Sequence, residues 1–153
     1  MSATLSVVPR PTQTPLGLAL AQTAKAVGRA FDDALSEAGG SRPAWLILLA
    51  LKTGQPSTQT DLAVAVGIRE ATLSHHLSAL EADRLVARMR DPDNRRVQQV
   101  TLTPAGDRQF LVLAKAAQAY DRRLSTGLTD RDTAALRRIL ERMRANVTTR
   151  DNG

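Results

Sequence analysis

The chain has 153 residues, 42% of them hydrophobic, which is enough for one domain-sized core, and 21 Lys+Arg against 15 Asp+Glu give a formal net charge of +6. That balance favours an anionic partner, either nucleic acid or a membrane surface. The longest apolar run, Ala44 to Leu51, is far short of the ~20 residues needed to cross a bilayer, no charged-then-apolar leader opens the sequence, and there is no cysteine. A soluble, cytoplasmic protein is expected, without disulfides, thiol redox sensing or Cys-ligated zinc.

Residues 1–14 are rich in Ser, Thr and Pro and are expected to form a disordered arm ahead of a single domain spanning 15–153. Leu16, Leu20, Ala24, Val27, Phe31 and Leu35 then recur at steps of three and four, predicting an amphipathic helix that stops near Gly39-Gly40. Ser41 caps a second helix, with Pro43 in its first turn; Trp45, Leu46, Leu48 and Leu49 make it apolar on most sides, as a core helix is. After Gly54 and a Gln55-Pro56 turn, Ser57 or Thr58 caps a short helix through Val66, and Gly67 separates it from another helix at about Glu70 to Ala82.

The period then changes. Leu85 to Arg90 and Val97 to Leu102 read as short strands joined by Asp91-Pro92-Asp93-Asn94, a strong turn signal. Thr103-Pro104 opens a helix carrying Phe110, Leu113, Ala117 and Leu124 to a stop at Gly127. Thr129 and Asp132 make a capping-box-like start for a last helix bearing Leu136, Ile139, Leu140, Met143 and Val147. The predicted fold class is mainly α with a small β-hairpin wing.

Helix, glycine turn, helix and hairpin is the order in which a second helix enters the major groove of DNA while the hairpin lies on the flanking backbone or minor groove. On a helical wheel for Glu70 to Ala82, Leu73, His76, Leu77 and Leu80 form the inward stripe. The opposite side presents Ala71, Ser74, His75 and Ser78, with Thr72 at its edge: short polar groups, an imidazole and one small apolar residue, all able to approach base edges. A solvated helix face normally carries Glu and Lys there, so the scarcity of charge favours a partner over solvent. In the hairpin region Arg84, Arg88, Arg90, Arg95 and Arg96 stand against Asp91 and Asp93, a net +3. Guanidinium forks suit phosphate oxygens and the electronegative minor groove, and one of the two aspartates is expected to clamp the wing by pairing with an arginine.

With these residues in view, the sequence resembles the MarR family of bacterial transcriptional regulators from about Trp45 to Gly106. The resemblance is carried by Gln59-Thr60-Asp61-Leu62-Ala63, by Gly67 to Leu77, by Leu80 to Val86, and by Asp91-Pro92-Asp93-Asn94-Arg95-Arg96 leading to Val100-Thr101-Leu102-Thr103-Pro104-Ala105-Gly106. Two departures stand out: Asn94 replaces the family's wing aspartate, and Arg84 replaces the glycine that commonly follows the recognition helix. The resemblance implies a winged helix-turn-helix lobe at 41–103, with 15–39 and 104–148 supplying dimerisation helices. It implies a homodimer acting as a ligand-responsive repressor on a pseudo-palindromic operator. The expected double-stranded DNA contacts are Ala71, Thr72, Ser74, His75 and Ser78 from the recognition helix, Thr58, Gln59, Thr60 and Arg69 to the backbone, and Arg88, Arg90, Asn94, Arg95 and Arg96 from the wing. Family members release DNA when an aromatic carboxylate or phenolic effector fills a cleft, for which Trp45 and Phe110 are the candidate lining here.

Other readings are decided on residues. Catalysis lacks its groups: no cysteine, two histidines that are adjacent on one helix, and no Gly-rich phosphate loop. No cofactor and no metal is expected. An architectural DNA binder of low sequence specificity, or a winged-helix protein-interaction module, remain the alternatives, and the arginines around the hairpin argue against the second.

Overall fold

The computed structural model describes residues 13–54, 58–95 and 97–148, so the arm expected at 1–14 falls almost wholly outside the described residues, as do Ser57 and Arg96. The elements are α1 (Leu16–Glu37), α2 (Arg42–Thr53), α3 (Gln59–Val66), α4 (Glu70–Ala82), β1 (Val86–Arg90), β2 (Gln98–Leu102), α5 (Pro104–Leu124) and α6 (Asp130–Thr148).

Their boundaries follow from side chains that satisfy the free amides of helix first turns. The Ser41 hydroxyl accepts from the Ala44 amide at 3.3 Å, the Thr58 hydroxyl from Asp61 at 3.1 Å, and the Thr103 hydroxyl from Gly106 at 3.0 Å. At α6, Thr129 Oγ1 accepts from the Asp132 amide at 3.1 Å while Asp132 accepts from the Thr129 amide at 2.9 Å, a reciprocal box built with aspartate. That hydrogen bonding also holds the Asp132 carboxyl below the ordinary aspartate range. Gly67, at φ 74, takes the left-handed turn that ends α3 and lets α4 start three residues later.

The core gathers around α2. Ile47 and Leu48 are fully buried among Leu35 of α1, Leu62 of α3, Leu73 and Leu77 of α4 and Leu113 of α5. The hairpin closes the cluster with Val86 and Val100. β1 and β2 pair antiparallel in the register Val86↔Leu102 to Arg90↔Gln98, and Thr58 bridges to Gln99, so the start of α3 is tied to the wing.

Between α4 and β1 the chain turns through Arg84, whose φ of 58 is the only positive value at a non-glycine among the described residues. The left-handed geometry that glycine adopts freely is therefore kept by an arginine. Around it the Leu85 amide donates to Leu80 O at 2.8 Å and the Arg84 amide to Glu81 O at 2.9 Å, the paired bonds that close a helix C-terminus. Thr103 Oγ1 donates to Arg84 O at 2.6 Å, which fastens this turn to the start of α5. Gly106 sits against the same place, since a Cβ there would overlap the carbonyl oxygen of Leu85.

α6 buries no residue. Its apolar stripe of Leu136, Ile139 and Val147 is exposed, as are Leu16 and Leu18 at the start of α1. Among the described residues no helix is long and apolar enough to cross a membrane, and no cluster of His, Cys, Asp or Glu is placed to hold a metal ion.

Candidate nucleic-acid interface

α4 presents the face that its sequence pattern predicts. Leu73, Leu77 and Leu80 are buried, while Ala71, Thr72, His75 and Ser78 are exposed and Ser74 is half-buried. His76 is half-buried rather than in the core, and with Asp83 and Gln109 it edges a small cleft against the corner between α1 and α2. Arg69 stands exposed at the N-terminal boundary of α4 without a capping hydrogen bond.

The wing and the helix-turn-helix meet in one groove of about 460 Å³, lined by Thr58, Gln59 and Thr60 of the first helix, Ser74 of the second, and Arg88, Arg90 and Arg95 of the wing. Three separately predicted groups are thereby brought together. Glu70 also lines the groove and accepts from Thr60 Oγ1 at 3.0 Å, tying the two helices to each other across the glycine turn. The lining holds three guanidinium groups and one carboxylate, and with the Arg88 charge met by Glu81 the balance of the groove is still positive.

The wing tip is stiffened by Asp91. Its Oδ1 accepts from the amides of Asp93 and Asn94 at 2.8 and 3.1 Å, and its Oδ2 from Gln99 Nε2 at 3.2 Å. The clamp expected of an aspartate is present, but among the described residues its partners are backbone amides and a glutamine in place of an arginine. An aspartate two residues ahead in a turn accepts from the amides that follow it, whereas Arg95 at this tip is exposed. Asn94 is exposed at the same tip, with its amide engaged in this turn. Arg96 lies outside the described residues.

Arg88 is placed differently from its neighbours. Its Nη2 donates to Glu81 Oε2 at 2.7 Å and its Nε to the same oxygen at 3.1 Å; Nη2 also reaches Ser78 Oγ at 3.2 Å. Ser78 in turn donates to Ser74 O at 2.9 Å. The hydrogen bond from Arg88 holds the Glu81 carboxyl below its ordinary value. Arg88 thus joins β1 to the last turns of α4 and fixes the Ser78 hydroxyl, with its side chain only 19% exposed. Glu81 is not among the site residues expected from the sequence: positions 81 and 88 meet only once the turn at Arg84 and the strand direction are known.

A second feature lies on the other side of α2. Trp45 and Phe110 are stacked, with ring centroids 5.6 Å apart and planes 5° from parallel. They line an open cleft of about 500 Å³ together with Phe31 and Tyr120. The sequence singles out Trp45 and Phe110 but offers no reason to add the other two, which come from α1 and the far end of α5 and meet each other at 5.0 Å.

The fold and the arginine-lined groove define a winged helix-turn-helix DNA-binding protein of the transcription-regulator class. A MarR family model matches residues 41–97. Over 101 residues the chain is 28% identical to an uncharacterized HTH-type transcriptional regulator, YdgJ, of Bacillus subtilis (strain 168), a match spanning 66% of this chain and 62% of that protein. The solved structure of transcriptional regulator PA3341 is 34% identical, covering 89% of this chain and 100% of that one, with a TM-score of 0.71. The fold also superposes on that of Bordetella bronchiseptica BpsR, whose DNA binding is regulated by 6-hydroxynicotinic acid, with a TM-score of 0.74 at 24% identity, covering 84% of this chain and 97% of that one. The chain belongs to the MarR family. The family and the regulators it matches are transcription regulators, not enzymes.

Proposed function

We propose that the chain is a sequence-specific, ligand-responsive repressor that acts in the cytoplasm as a homodimer on a pseudo-palindromic operator. The observation that carries this reading is the single positive groove in which Thr58, Gln59, Thr60 and Ser74 converge with Arg88, Arg90 and Arg95. Ala71, Thr72, Ser74, His75 and Ser78 face base edges in the major groove. Thr58, Gln59, Thr60 and Arg69 take the flanking phosphates, and Arg90, Asn94, Arg95 and Arg96 take the backbone and minor groove beside them. Arg88 contributes through the pair it makes with Glu81, holding the wing against the reading helix.

Two reading heads are supported by the surplus apolar surface. In the division proposed, residues 41–103 form the DNA-binding lobe, and 15–39 and 104–148 form the dimerisation region. A helix such as α6, with an exposed stripe and no buried residue, is stable only against a partner surface. A twofold axis through it covers that stripe and spaces the two α4 helices about one DNA turn, roughly 34 Å, apart. A dimer seated across an operator excludes other proteins from it, which is repression. The aromatic cleft supplies the effector site, in keeping with the regulation of BpsR by a small aromatic molecule. Selection of bound sequences from a random DNA pool tests the reading: enrichment of an inverted repeat is expected, and absence of any enrichment decides for an architectural binder.

A further inference from the structure

Glu70 is the one carboxylate among the described residues that line the groove between wing and helices, and the DNA contacts proposed above leave it out. It is the first residue of α4 and is exposed. Ser74 and Ser78 follow it at steps of four, so Glu70 heads the stripe of the helix that carries the reading hydroxyls. The N-terminal residues of a recognition helix are the ones that reach base edges. Three arginines line the same groove, yet among the described residues Glu70 forms an ion pair with none of them. Its partner is neutral: the Thr60 hydroxyl donates to Oε1 at 3.0 Å. A carboxylate accepts at both oxygens, and among the described residues Oε2 is left for a donor that enters the groove. The α4 dipole favours an acid anywhere in the first turn; the bond from Thr60 is what fixes where this one points.

We infer that Glu70 is a specificity-determining residue that reads cytosine in the major groove, an inference that rests on the operator reading proposed above. Phosphate oxygens repel a carboxylate, so what a DNA seated in the groove can offer Oε2 is a base-edge donor. Two bases present one in the major groove, cytosine at its N4 amino group and adenine at its N6 amino group. Adenine sets the N7 acceptor beside N6, and a carboxylate is repelled there; guanine shows only N7 and O6, and thymine only O4 and a methyl group. Cytosine is the base that remains. Thr60 has one hydroxyl proton to give and gives it to Glu70. That narrows its role from the phosphate contact proposed above to a positioning residue for the reading carboxylate.

The test is selection of bound DNA from a random pool by the full chain as wild type, Glu70→Gln and Thr60→Val, followed by competition titrations between single-base variants of the selected site. With the wild type, each half-site is expected to hold one position where cytosine outcompetes guanine and thymine by at least about fivefold. Glu70→Gln still accepts from Thr60, and its amide can meet adenine N6 and N7 together. It is expected to lose the cytosine preference at that position in favour of adenine and to leave the other positions as they are. Thr60→Val is expected to weaken the cytosine preference without moving it. Removing a negative charge raises affinity for every sequence, so the ratio between sequences is the readout. Base preferences unchanged in Glu70→Gln, with affinity raised equally for all sequences, would reduce Glu70 to a tie between α3 and α4 and overturn this inference alone. Absence of any enrichment with the wild type overturns the sequence-specific reading, and this inference with it.

Discussion

The pair between Glu81 and Arg88 separates a residue that grips DNA from one that places the residue that does. Two N–H donors of Arg88 reach Glu81 Oε2 at 3.1 and 2.7 Å, but the side chains are 19% and 40% exposed. Good geometry argues for a charge-assisted bond worth about 1.5–3 kcal/mol, and exposure argues for the ~0.2–1 kcal/mol of a surface pair. With Glu81 more than a third exposed the discount is heavy, leaving about 1 kcal/mol. For a chain of this size that corresponds to a fall in Tm of about 2–4 °C in Glu81→Gln or Arg88→Gln. The double variant is expected to lose much less than the sum. The lowered Glu81 pKa sets the pH window: the contribution is complete above the ordinary value of 4.5 and disappears as pH falls through the lower folded value. The Tm gap between wild type and Glu81→Gln therefore closes at acid pH. On DNA, removing one phosphate-binding cation from each protomer reduces the slope of log K against log salt by about 0.9 per protomer. Glu81→Gln/Arg88→Gln, which leaves net charge unaltered, is expected to keep the wild-type slope while relaxing discrimination at the base nearest Ser78. Calorimetric melts and fluorescence-anisotropy titrations over salt measure both quantities. A slope reduced by about 0.9 per protomer would show that Arg88 binds phosphate directly, and the positioning role would be wrong.

Arg95→Ala, at the exposed wing tip, is expected to weaken binding to all sequences and flatten the salt dependence by about one ion per protomer, whereas His75→Ala changes which sequence is preferred; competition titrations distinguish the two. Arg84→Gly relieves a left-handed arginine at φ 58 whose strain, about 1–2 kcal/mol, exceeds the ~0.5–1 kcal/mol that glycine costs through its unfolded-state freedom, so Tm rises by about 1–4 °C. Gly106→Ala forces a methyl into the Leu85 carbonyl oxygen, and a loss of more than about 2 kcal/mol is expected in urea melts, with an unaffected midpoint as the contrary result. Ile139→Glu places charge in the exposed stripe of α6 and is expected to shift the protein from dimer to monomer in sedimentation, with operator affinity falling alongside.

Local signals suffice wherever the physics is local. A capping hydroxyl needs only its own next turn, so Ser41, Thr58, Thr103 and Thr129 mark four helix starts in the sequence, and α4 ends at Ala82 as its apolar stripe predicts. The convergence of Thr58, Ser74 and Arg95 in one groove is legible only through the order of elements, because no spacing within the chain fixes how a hairpin lies against a helix. Two pairings are illegible for the same reason. Glu81 meets Arg88 across a turn whose geometry depends on an unfavoured φ at Arg84, and Tyr120 meets Phe31 across 89 residues of sequence.

These illegible pairings also lie where the fold joins its parts. Arg84 O accepts from Thr103, the hydroxyl that opens α5, and Gly106 packs onto Leu85 one residue on. α5 runs from that turn to the cleft wall at Tyr120 and Asp121. On the proposed effector reading, a tilt of α5 on ligand entry would act on the turn between α4 and β1, which lies between Glu81 and Arg88. If effector binding loosens DNA in this protein, the fastening at Thr103 is a direct hydrogen-bonded route for it. Thr103→Val, which keeps the shape and removes the hydroxyl, is then expected to reduce the response of operator affinity to a cleft ligand more than it reduces the affinity itself; equal losses in both would place the coupling elsewhere.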